Sequence, residues 1–179
     1  MFLELLMRCF SLLLLCVIAA ASSATVSAQG YTSPPAETST IIAGKKIHIS
    51  YYAPSMHGRK IMGGLVPYGV VWCTGANYAT QIDTEADLDM GGLKIPKGSY
   101  SIWTLPTERE WILIINKEIG QFHLDYRSNN DFGRVKMDLK ALAAPVETFT
   151  IRLAQTSASQ GRLSLIWERT EASEPFTVR

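Results

Sequence analysis

In three stretches of the last third of this chain, apolar and polar residues alternate one for one. Val135, Met137 and Leu139 interleave with Arg134, Lys136 and Asp138. Phe149, Ile151 and Leu153 interleave with Thr148, Thr150 and Arg152, and Leu163, Leu165 and Trp167 with Arg162, Ser164 and Glu168. Successive side chains on a strand point to opposite faces, so a period of two predicts strands with one face in a core and the other in water. That pattern belongs to antiparallel sheets and constrains the fold more than any other feature of the sequence.

The preceding residues extend the pattern. "KIHISYY" places Ile47, Ile49 and Tyr51 on one face and His48, Ser50 and Tyr52 on the other. "ADLDMGGLKI" reads as two short strands around Gly91-Gly92, a pair that tolerates the positive φ of a type I′ turn. "GSYSIWTL" and "EWILIINK" read as adjacent strands, and the second, apolar for five residues running, suits a strand covered on both faces. Only "DLKALAAP" offers a helical turn or two before Pro145. Many short strands with turn signals between them predict a single antiparallel β-sandwich, of jelly-roll or immunoglobulin-like type, over residues 37–179. Residues 29–36, "QGYTSPPA", are expected to form a loose, flexible lead-in.

The first 28 residues read differently. Arg8 precedes the apolar run "FSLLLLCVIAAA", and small residues close the segment at Ser27 and Ala28. This is the layout of a cleaved secretory signal peptide, and the run is shorter than the roughly 20 residues a spanning helix needs. The expected location is therefore periplasmic or extracellular, with no membrane span after cleavage. Glu4 and Arg8 cancel, so losing the leader leaves the formal charge of +1 unchanged. That balance lacks the basic footprint of a nucleic-acid binder. Of three cysteines, Cys9 and Cys16 lie in the leader, so Cys73 remains alone and no internal disulfide is expected.

One segment fits neither period. "GRKIMGGLVPYGVVWCTGAN", residues 58–77, holds Arg59, Tyr68, Trp72, Cys73 and Asn77 among five glycines. A long irregular connection inside a compact domain is uncommon unless it is functional or packed by its own side chains. Two readings stand. In one, it is an Ω-like loop closing the end of the sandwich, with Trp72 as its apolar anchor. In the other, it is a binding site. Arg59 then offers a planar fork of donors to a carboxylate or phosphate, Tyr68 and Trp72 offer stacking faces, and Asn77 an amide that donates and accepts.

The same segment, continued as "GRKIMGGLVPYGVVWCTGANYAT", together with "GSYSIWTLP" and "WILIINK", resembles a family of secreted bacterial proteins catalogued as domain of unknown function 2911. The likeness continues through "APVETFTI" to "LIWE" and "PFTV". Matching positions are Gly58, Arg59, Gly63, Gly64, Pro67, Tyr68, Gly69, Trp72, Gly75, Ala76, Asn77 and Thr80, which adds Thr80 to the candidate site. Cys73 departs from the arginine associated with its position. The resemblance implies an exported all-β domain and brings no established activity with it.

Other chemistries have thin support. Cys73 as a nucleophile needs a lowered pKa and a histidine partner, and His48, His57 and His123 are far apart in sequence. "HLD" sets His123 and Asp125 on one strand face, but no H-x-H or H-E-x-x-H supports a metal. No nucleotide-binding glycine motif and no G-x-S-x-G occurs, so no cofactor is expected. Trp103 is expected in the core, the alternative being a shallow sugar platform shared with Trp72. Three functions stay open: a non-catalytic binding module for a small polar, anionic or sugar-like ligand, an enzyme using Cys73 or a His/Asp cluster, and a structural cell-envelope protein. Binding leads.

Overall fold

The computed structural model describes residues 33–179, so the expected signal peptide lies outside the described residues. Nine strands follow one another: β1 (Pro35–Ile42), β2 (Lys45–Tyr52), β3 (Thr80–Thr84), β4 (Leu88–Met90), β5 (Leu93–Ile95), β6 (Gly98–Pro106), β7 (Trp111–Asn116), β8 (Asp131–Gln155) and β9 (Gln160–Val178). A single 3₁₀ turn, Ser128–Asn130, is the only helical element among the described residues. The antiparallel all-β expectation holds. Hydrogen bonds join the strands into one sheet in the order β1-β2-β3-β6-β7-β8-β9-β4-β5, and this connectivity draws no boundary between two separate layers.

The alternating stretches lie where their periodicity puts them. Phe149, Ile151, Leu163, Leu165 and Trp167 are all buried, as are Ile47, Ile49 and Tyr51. They join residues from both ends of the sheet, Ile42 on β1 and Ile95 on β5 among them, in one continuous core. A sheet whose two ends share one core must curl. The register shifts between Ala141 and Val146 and between Val146 and Thr150 mark where the long strands bend. "DLKALAAP" lies inside β8 at this bend, so the helical turn considered for it does not form; the pairing of β8 with β9 overrides the local preference. Strand β1 starts at Pro35, two residues inside the expected lead-in.

Two local expectations are met in detail. Met90 pairs with Leu93 across Gly91 and Gly92, which take φ of +56° and +89°. Strand β7 is covered on both faces. Leu113 and Ile115 point into the main core, while Ile114 joins Trp103, Cys73 and Ala79 in a second cluster on the other side of the sheet.

Candidate functional site

The connection between β2 and β3 carries the irregular segment, and it is tied down along most of its length. At its start, Ser55 and Thr148 share a 2.8 Å hydroxyl contact, and Met56 N–H donates to Glu147 O at 2.9 Å. Arg59 donates from Nε to Met56 O at 2.9 Å and from Nη2 to Ser55 O at 2.7 Å. Its guanidinium therefore braces the backbone on which it sits.

Further on, the chain runs beside β6 just beyond the point where β3 begins its pairing at Thr80 and Ile102. Gly69 N–H donates to Pro106 O, and Trp72 exchanges two backbone bonds with Thr104 at 2.7 and 2.9 Å. This turns the Trp72 indole into the core, stacked on Trp167 at 5.8 Å and edge-on to Phe149 at 5.1 Å. Its Nε1–H donates to Gly75 O at 2.9 Å. Tyr68 stays near the surface with its ring over Gly63, where a Cβ would lie 2.7 Å from Cε2.

The segment then crosses the outer side of β6 and β7. Thr80 is fully buried, and its hydroxyl donates to Thr74 O at 2.7 Å. Cys73 is buried too, and burial pushes its thiol up to about 12. A thiol held protonated lacks the property that makes cysteine a nucleophile. Trp103, buried beside it, donates its indole N–H to Ser101 Oγ at 3.0 Å, so it forms no exposed platform with Trp72. Asn77 takes a left-handed conformation (φ +60°) and its carbonyl accepts His123 N–H at 2.9 Å.

That last pairing builds the feature the sequence does not announce. Residues 77–79 run against residues 121–123, bridged at Tyr78 and Phe122, and raise a wall beside the outer face of β1, β2 and β3. Between wall and sheet lies a groove of about 550 Å³. Glu37, Ser50, Tyr52, Tyr78, Gln81 and Gly120 are among its lining residues. Register explains the polar floor: Glu37 pairs with Ser50, and Ser50 with Gln81, so three strands set three polar side chains in one lateral row. The Tyr52 and Tyr78 rings lie 6.1 Å apart at 37°, and Phe122 meets Tyr78 edge-on at 5.9 Å. Tyr78 is 49% exposed and Phe122 44%, which is unusual for neighbouring aromatics.

Behind the floor, a second row holds it in place. His48 Nε2 lies 3.1 Å from Glu37 Oε2, and its Nδ1 3.7 Å from Asp83 Oδ2. Asp83 in turn accepts Gln81 Nε2 at 3.1 Å and the Ser99 hydroxyl. The groove thus has a preorganised polar edge on rigid strands.

The family model described as a protein of unknown function (DUF2911) matches residues 33–176. The chain belongs to the DUF2911 family. No curated protein and no solved structure matches it. Within the DUF2911 match, the candidate residues separate by role. Arg59 and Trp72 brace the connection, Thr80 clamps it from within, Tyr68 packs on it, and Asn77 begins the wall. None of the five is among the residues lining the groove. The signal for the groove was present in "KIHISYY": alternation sends Tyr52 outward with His48 and Ser50, an aromatic on a polar face. Among the described residues of this DUF2911 protein, no group of three or more His, Cys, Asp or Glu residues is placed to hold a metal ion. No helix among them is long and apolar enough to cross a membrane.

Proposed function

We propose that this DUF2911 protein is an exported binding module, and that the groove on the outer face of β1, β2 and β3 receives a small polar ligand with a flat apolar face, as a sugar ring has. The observation that carries this reading is the groove itself. Its volume of about 550 Å³ falls in the range of roughly 300–1,000 Å³ usual for small-molecule sites. It combines two tyrosine rings with a row of hydrogen-bonding side chains on paired strands. Tyrosine supplies contact area at a low entropic cost, and Ser50 and Gln81 both donate and accept. Export rests on the leader-like residues 1–28.

Titration calorimetry against a panel of mono- and disaccharides, with wild type and Tyr78→Ala, tests the groove. Binding that Tyr78→Ala removes without lowering the melting temperature is the expected result. Binding that Tyr78→Ala and Gln81→Ala both leave intact would overturn it. N-terminal sequencing of the exported product tests the leader, with a start at or near Gln29 expected and retention of residues 1–20 refuting it.

A further inference from the structure

The charge of the groove says more about what it recognises. Among the described residues lining it, Glu37 is the only charged side chain, and none is a lysine, arginine or histidine. A carboxylate or phosphate entering there meets a like charge, with only neutral donors to offset it. A cation meets attraction from two sources. One is the Glu37 carboxylate, whose Oε2 sits against His48 Nε2 while Oε1 has no hydrogen-bond partner among the described residues. The other is the pair of neighbouring π surfaces, Tyr52 and Tyr78, since an aromatic face attracts a cation within about 6 Å of its centroid.

We infer that the group recognised in this groove is an organic cation, an ammonium borne on a small ring or chain, held between the Glu37 carboxylate and the Tyr52 and Tyr78 rings. The inference rests on the groove being a ligand site. It reverses the anionic preference that Arg59 suggests in the sequence, because Arg59 braces the Ser55–Met56 backbone and does not line the groove. His48 is a positioning residue here. Flanked by Glu37 on β1 and Asp83 on β3, it fixes the rotamer of Glu37, whose side chain is otherwise 78% exposed.

The test compares one ring carrying three charges. Glucosamine, glucose and glucuronate, with choline as a cation lacking the ring, are titrated into the full exported chain at near-neutral pH and low salt. Binding is followed by NMR shifts of the tyrosine rings. The expected result is that glucosamine and choline shift the Tyr52 and Tyr78 signals, glucose binds more weakly and glucuronate weakest. Glu37→Gln should weaken the cations roughly three- to tenfold, the range for a charge-assisted contact discounted for exposure, and leave glucose unchanged. Glucose binding as tightly as glucosamine, with no effect of Glu37→Gln, would overturn the cation inference and leave the groove as a sugar site. If no probe shifts either tyrosine, the cation inference and the groove reading both fall.

Discussion

Glu168, on the last strand, accepts the backbone N–H of Met62 at 3.0 Å. The same carboxylate lies 3.3 Å from the N–H of Ile61. Both donors belong to buried residues of the irregular connection. Glu168 itself sits opposite Val146 at a register shift, with a left-handed φ of +53° that a side chain with a Cβ adopts at a cost. A strained residue at a bulge thus clamps a loop more than a hundred positions away in the chain. Glu168→Ala removes the acceptor from two buried amides and should destabilise the fold by about 1–3 kcal/mol. Glu168→Gln, which keeps one acceptor, should cost less. Urea unfolding measures both, and an alanine variant as stable as wild type would show that the clamp contributes nothing.

Arg59 is expected to act on stability and not on the groove. Its two bonds to the carbonyls of Ser55 and Met56 hold the start of the connection. Arg59→Ala should lower stability by about 1–3 kcal/mol, the scale of hydrogen bonds from a charged donor. Ligand affinity in the groove should not change. A variant with an unchanged melting temperature and abolished binding would return Arg59 to the role of ligand anchor.

The two faces of β8 should respond differently to truncation. Phe149 is 1% exposed and touches Trp72, Trp167 and Tyr51. Phe149→Ala should cost roughly 3–5 kcal/mol. Thr150, half-buried on the opposite face, donates its hydroxyl to Thr148 O at 3.0 Å, and Thr150→Ala should cost about 1 kcal/mol or less. Equal losses in denaturant would mean the faces are misassigned.

Cys73 should be inert while the protein is folded. Its thiol is pushed up to about 12 by burial, against about 8.5 in an unfolded chain. At pH 8 the folded thiolate fraction is then lower on the order of a thousandfold, so iodoacetamide should label the denatured protein and spare the native one. The sign for stability follows from proton uptake. Between about pH 8.5 and 12 the unfolded state has lost a proton that the folded state keeps, so stability falls as pH rises through that window. Rapid native labelling at pH 8, or a stability that rises with pH over that range, would contradict this environment for Cys73.

Sequence alone determined the strands and their buried faces. The alternation at Phe149, Ile151, Leu163 and Leu165, and the Gly91-Gly92 turn, are local signals, because side-chain direction and positive φ are set within a few residues. Only the tertiary structure decided what the polar faces meet. Glu37, Ser50, Gln81 and Gly120 line one groove because β1, β2 and β3 pair in a particular register and a loop from beyond β7 docks beside them. Arg59 shows the same limit: its residue type promised an anion site, while the fold turned its donors on two nearby carbonyls. Long-range pairing and loop docking are chosen by the summed burial and hydrogen bonding of distant segments, and no single stretch of sequence carries a period that reports that sum.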